Sequence, residues 1–297
     1  MSRSFADSAR SFGLLLIGGI CLGSFAPLSK VAIEAGVPPL TYMLYAAAGA
    51  AIGLAVWIGL FDRLPRPGVP FLRYSVVAGL TGYALPSVIT VLAVTRVGAG
   101  FVAISFTLVP ILIYALALAL RLEGFHAPRV AGVLAGLCGA LILTYPRFAG
   151  GSDAGIAWTI ITLMIPVSLA LSGIYRTIAW PEAYTPIQLT LGMLSLSALA
   201  LAVAAPLNGE AYLLFANGNP ADVIVAAQMV AAFLSYAILF KIQREHGPVF
   251  QSLMGYVSTA TGIVAGYMVF REAAPQSLWL ALALLVIGML LVNRKPA

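Results

Sequence analysis

The chain has 297 residues, 61% of them hydrophobic and only 9% charged, with a formal net charge of +6. Soluble domains carry about 25% charged residues, so this composition could not cover a water-facing surface, and a soluble globular class is excluded. The basic excess is spread thinly rather than gathered into a phosphate-gripping tract, so no nucleic-acid partner is expected.

Charged or Pro/Gly-rich breaks divide the chain into ten apolar runs. The first, 12–33, follows MSRSFADSAR and looks superficially like a signal peptide. No small-residue cleavage site closes it and the apolar run continues through Pro27 to Lys30, so it reads as an uncleaved span. The others are 39–61, 72–95, 98–120 and 128–146, then 155–178, 186–206, 220–242, 247–270 and 275–293. At ~1.5 Å per helical residue, a run of about twenty crosses roughly 30 Å of hydrocarbon. The connections are short. The longest, APLNGEAYLLFANGNP, contains no basic residue, and none has room for a soluble catalytic domain. With the N-terminus placed in the cytoplasm, twelve Lys and Arg fall on the inner side, Arg176 among them. Four fall outside: Lys30, Arg96, Arg147 and Arg271. That bias predicts a cytoplasmic N-terminus and, after ten spans, a cytoplasmic C-terminus.

The fourth and ninth runs match at an offset of 149 residues. GFVAISFTLVPILIYALALALRLE (100–123) then lies over VFQSLMGYVSTATGIVAGYMVFRE (249–272), with Phe101 on Phe250, Glu123 on Glu272, Gly98 on Gly247 and Gly139 on Gly288. Duplication of an odd number of spans inverts the second half. The expected architecture is therefore all-α and integral to the membrane, with a first five-helix repeat at 12–146 and an inverted one at 155–293. Inverted repeats mark secondary transporters, whose site lies near the midplane between the halves. Pro27, Pro86, Pro110 and Pro166 interrupt runs one, three, four and six. A proline frees the carbonyl four residues before it, which is tolerable in a bilayer only against protein or a wet cavity. Pro110, Pro86 and Pro27 are thus candidate hinges.

The paired segments LVPILIYALALALRLE and YVSTATGIVAGYMVFRE, the glycine-rich RVAGVLAGLCGALIL and the N-terminal GSFAPLSK resemble the drug/metabolite transporter superfamily, specifically its ten-helix EamA-type bacterial exporters. Within that family the chain looks most like the YddG-type exporters of aromatic and other amino acids. The resemblance implies a basket of helices around a central cavity, with the fifth and tenth spans peripheral. It also implies export of small metabolites from a bacterial inner membrane by alternating access. In two respects the chain departs from the pattern. Thr259 replaces the second-half counterpart of Pro110, and Tyr42 and Tyr45 stand near a position where the family often has arginine.

Polar side chains inside membrane helices are candidates for a substrate path. Tyr83, Ser87 and Thr90 share one helical face, as do Gln228, Ser235 and Tyr236. Run four offers Thr107, Pro110 and Tyr114; run nine offers Gln251, Tyr256, Ser258 and Thr259. Rings with hydroxyls and amides suit a small, partly apolar, nearly neutral molecule. The plainer alternative is hydrogen bonding between helices, at roughly 0.6 kcal/mol per contact. Lys30 either snorkels to the outer interface or meets a substrate carboxylate. The pairs Gly19/Gly23, Gly49/Gly53, Gly132/Gly136 and Gly262/Gly266 read as close helix packing.

All ten acidic residues sit at run ends or in connections, so no midplane proton carrier is expected. Cys21 and Cys138 lie inside apolar runs, and His126 and His246 in polar connections without ligand spacing. No metal, cofactor or disulfide is expected. The expected partners are a small-molecule substrate and the bilayer; the oligomeric state stays open, a monomer included. Export of drugs or hydrophobic cations is the alternative within transport. An integral-membrane lipid enzyme is a remote third, since it would require clustered acid–base residues near an interface, for which Glu123 with His126, or Glu245 with His246, is the best available.

Overall fold

The computed structural model describes residues 2–97, 102, 105–106, 108–148, 153–216 and 218–270, with 279–280, 283–284, 287–288 and 291. Most of the tenth run lies outside the described residues, as do Arg271, Glu272 and residues 98–101 of the repeat pairing. The described elements are helices. In chain order they are α1 (Ser2–Gly23), α2 (Phe25–Glu34), α3 (Pro39–Phe61) and α4 (Val69–Gly79), which runs through a π-turn (Leu80–Ala84) into α5 (Leu85–Val97). Then follow α6 (Leu108–Ala119), α7 (Ala127–Phe148), α8 (Asp153–Ile178), α9 (Pro186–Leu207), α10 (Ala221–Ser252) and α11 (Met254–Phe270).

Helix ends follow from local chemistry. Pro39 opens α3 where its missing N–H has no helical partner to lose. A reciprocal capping box between Thr185 and Gln188, with Pro186 next, opens α9. Arg121 closes α6 in the left-handed region (φ 56°), letting the Leu122 N–H donate back to the Ala117 carbonyl at 2.8 Å.

Six helical stretches among the described residues are long and apolar enough to cross a bilayer: Arg10–Glu34, Pro39–Phe61, Val69–Ala93, Ala157–Ile178, Pro186–Leu207 and Ala221–Ser252. Their outward faces are apolar as well. Ile52, Val56 and Leu60 project from α3, and Leu199, Val203 and Leu207 from α9, all exposed at helical spacing. Such stripes require lipid, not water. The protein is a multi-pass membrane protein.

Hydrogen bonds sort the connections onto two faces. On one, the Tyr184 hydroxyl donates to the Arg66 carbonyl (3.0 Å) and the Gln188 amide to the Arg63 carbonyl (2.8 Å). Arg244 pairs with Glu182 at 2.6 Å, and Ser11 Oγ is hydrogen-bonded to His246 Nε2 at 2.8 Å on the same face. On the other, the Asn219 amide donates to the Ala35 carbonyl (2.9 Å), the Thr41 N–H to Glu210 (3.0 Å) and the Tyr45 hydroxyl to the Tyr212 carbonyl (2.7 Å). Asp222, buried at the start of α10, accepts from the Tyr212 hydroxyl and the Phe215 N–H. The bond to Asp222, followed by burial, pushes the Tyr212 phenol above its ordinary range.

The two halves of the chain interleave. α3 lies against α9 and α10, α9 also against α4, α1 against α10 and α11, and α8 against α5 and α6. Glycines permit the closest approaches. A Cβ on Gly23 would sit 2.4 Å from the Ser258 carbonyl oxygen, one on Gly49 2.3 Å from Met229, and one on Gly136 2.5 Å from the Tyr256 hydroxyl. In all three places a second helix occupies the space a side chain would need.

Candidate functional site

Among the described residues four helical runs are interrupted, and the interruptions converge. α1 stops at Gly23 and α2 restarts at Phe25, with Pro27 in its first turn. Between α4 and α5 the π-turn is held by Pro86, which can donate neither to Thr81 in π register nor to Gly82 in α register. Ser168 Oγ, from α8, donates to the Thr81 carbonyl in its place at 2.7 Å. Before α6 the backbone turns at Phe106, whose carbonyl accepts from the Val109 N–H at 3.1 Å. α10 bends at Gly247 (φ 82°, ψ 174°), then breaks at Leu253 before α11 begins.

A cavity of about 90 Å³ lies where these interruptions meet, and each gives it wall residues, among them Gly23, Gly82, Phe106 and Gly255. Of the residues singled out from the sequence, Tyr83, Ser87, Tyr236, Ser258, Thr259 and the hinge Pro86 line it, as does Thr90. The Tyr83 and Tyr236 rings meet at 5.3 Å between centroids, and the Tyr83 hydroxyl donates to the Met43 carbonyl at 3.3 Å. None of the described lining residues carries a formal charge.

Other expected wall residues lie elsewhere. The Tyr114 hydroxyl donates to the Gly124 carbonyl (3.3 Å) and accepts from the His126 N–H (3.1 Å), pinning the connection after α6. Gln228 is buried and accepts from the Tyr42 hydroxyl at 3.2 Å, a bond between helices. Gln251 and Tyr256 are buried outside the lining, the Tyr256 ring filling the space left by Gly136. Lys30 is half-buried in α2 and also outside it. Pro110 stands in the first turn of α6, so the chain restarts there instead of bending within a continuous helix. The third, fourth, eighth and ninth runs, which hold the polar candidates, line the cavity, and the first (Leu22, Phe25, Ala26) and the sixth (Leu169) contribute as well.

One functional candidate was missed. Counted from the sequence as an interfacial cation, Arg176 is only 4% exposed, and its guanidinium carbon lies 5.1 Å from the Phe240 ring centre. Among the described residues no carboxylate forms an ion pair with it, and its Nε has no hydrogen-bond partner. A cation over a ring gains about 0.5–2 kcal/mol, whereas an unpaired buried charge costs several kcal/mol; the ring alone does not offset the burial. Gly82 separates this guanidinium from the cavity. A Cβ there would stand 3.7 Å from Arg176 Nη1 and 2.5 Å from Ser172 Oγ. The available signal was a lone arginine inside SGIYRTIAW, ahead of three more apolar residues.

Against known proteins, residues 10–145 match the model of the EamA-like transporter family. A WAT1-related protein of Arabidopsis thaliana is 26% identical over 141 residues, which cover 44% of this chain and 39% of that protein; the match thus spans about two fifths of the relative's length. A solved crystal structure superimposes with a TM-score of 0.69 at 21% identity, covering 95% of this chain and 98% of that one, and shares its fold. The family match covers just under half of this chain, its first half.

Proposed function

We propose that the protein exports small metabolites across a bacterial inner membrane, amino acids above all, the aromatic and other neutral ones first. The observation that carries this reading is the cavity at four interrupted helices. Irregular backbone at membrane depth is tolerated where it lines such a space, and the rings and hydroxyls of Tyr83, Tyr236, Ser87 and Ser258 suit a partly apolar molecule. Alternating access between two inverted five-helix repeats follows from the sequence duplication. The packing supports it. Exchanging the halves carries the contact of α1 with α11 onto that of α8 with α6, and the contact of α3 with α10 onto that of α9 with α4.

The test is uptake of labelled phenylalanine, tryptophan, leucine and alanine into proteoliposomes, with and without a pH gradient. Saturable flux of at least one aromatic amino acid is expected, running down its own gradient, because no carboxylate stands among the described lining residues. Accumulation driven by a pH gradient alone would overturn the uncoupled mechanism; absence of amino-acid flux would overturn the substrate class. Export of hydrophobic cations is disfavoured by the same lining: Asp222 is buried but already bonded to Tyr212 and Phe215.

Orientation is tested separately. Both termini are placed in the cytoplasm, which puts exposed Asn208 outside and exposed Pro67 inside. A cysteine at Asn208 should react with an impermeant maleimide added to intact cells, and one at Pro67 only after lysis. The reverse pattern would invert the topology.

A further inference from the structure

We propose that Arg176 is the anion-binding residue of the transport site, taking the carboxylate of the substrate through the floor of the cavity at Gly82; this rests on the amino-acid reading above. Three independent features point there. First, the guanidinium is enclosed by protein and has no anionic partner among the described residues, so the resting arrangement leaves a charge to be met. Second, unpartnered hydroxyls near it can donate to an anion, alongside one unpartnered acceptor, Gln243 Oε1. The hydroxyl of Ser172, one turn earlier on α8, is buried without a partner, as is that of Tyr74. The Tyr74 and Tyr236 phenols lie within electrostatic range of the guanidinium. A carboxylate would accept from the guanidinium and the hydroxyls and carries the opposite charge, whereas an ammonium group would meet a like charge. Third, the partition is one backbone thick: Gly82 has no side chain, and the turn holding it is already released from α-helical bonding by Pro86.

The division of labour follows. Rings and hydroxyls of the cavity receive the apolar side chain and ammonium group, while the carboxylate passes Gly82 to meet Arg176. The guanidinium stays in place because Phe240 lies against it and because Gln243 fixes α10 to α8 at the same level, donating to the Gly173 carbonyl at 2.8 Å and to Thr177 Oγ1 at 2.9 Å.

The experiment measures binding to the full chain in nanodiscs with three probes: phenylalanine, phenylalaninamide, in which the carboxylate is replaced, and benzoate, which has no ammonium group. Wild type should prefer phenylalanine over its amide at least tenfold. Arg176→Gln should level the two by weakening the acid, and Arg176→Lys should restore part of the preference. If Arg176→Gln keeps the preference, the assignment of Arg176 fails while the amino-acid reading stands. If wild type binds benzoate in an Arg176-dependent way but not phenylalanine, the anion site stands and the amino-acid reading falls. If wild type binds neither carboxylate, or does not distinguish acid from amide, the site is refuted. Should Arg176→Gln fail to give a monodisperse protein, Ser172→Ala decides: a loss of at least threefold in the preference supports the site, and an unchanged preference overturns it.

Discussion

Replacing Gly23 with alanine is expected to lower the melting temperature of the purified protein by roughly 6–12 °C, from about 3 kcal/mol of overpacking in a chain of this size class. The new Cβ would lie 2.4 Å from the Ser258 carbonyl oxygen and 2.8 Å from its Cα, atoms of backbone that no rotamer change can move aside. α1 and α11 would have to separate, and they hold two of the four interruptions around the cavity between them. Two other glycines calibrate the result. At Gly53 the nearest atom is a Phe233 ring carbon at 3.2 Å, so alanine there should shift melting by only a few degrees. At Gly59 nothing lies within 4 Å, and alanine should leave melting unchanged or raise it slightly through helix propensity. Equal melting of the Gly23 and Gly59 variants would mean that the two helices are not in contact.

Pro86→Ala is expected to reduce maximal flux about tenfold while leaving the half-saturating substrate concentration within about threefold of wild type. Tenfold corresponds to about 1.4 kcal/mol on the limiting step. Alanine would bring an N–H that proline lacks. It could close on the Gly82 carbonyl and turn the irregular segment into ordinary α-helix, stiffening the wall that has to move. It could also bond the Thr81 carbonyl, which Ser168 now serves at 2.7 Å. Ser168→Ala alone should therefore destabilise by about 1–3 kcal/mol through an unserved buried carbonyl, and adding Pro86→Ala should recover part of that loss. Additive effects in the double variant, together with wild-type flux for Pro86→Ala, would refute this account of the turn.

Much of the frame was legible because proline chemistry is local. Pro27 and Pro86 each stand just past a real interruption, whereas Pro166 sits inside the continuous α8, and the hydroxyl face of Tyr83, Ser87 and Thr90 falls on the cavity wall as helical spacing implies. The break at Leu253 carries no proline and left no such mark. Depth along a run was readable, but rotation and reach were not. Arg176 is two residues from the end of α8, so its position reads as interfacial. Side chains on a helix lean toward its N-terminus, and that carries a long arginine inward to Gly82. Tyr114 failed the other way. Its ring belongs to the apolar helix α6, but the left-handed turn at Arg121 folds the next connection back within reach of its hydroxyl. Gln228 shows a third limit: a buried amide is as well served by a neighbour's hydroxyl, here Tyr42, as by a substrate.

The bonds that join Ala35 to Asn219, Thr41 to Glu210, Tyr45 to Tyr212 and Asp222 to Tyr212 and Phe215 also carry a mechanical meaning. They fasten the end of α2, the start of α3 and the start of α10 to a single connecting segment, four parts that cannot separate on that face without breaking the set together. They act as a stator. Under the alternating access proposed above, that mouth would widen by displacement of α5, α6 and α8 past this assembly, which would make the two sides of the gate mechanically unequal. A molecule leaving the cavity would then slide along one stationary wall while the opposite wall retreats.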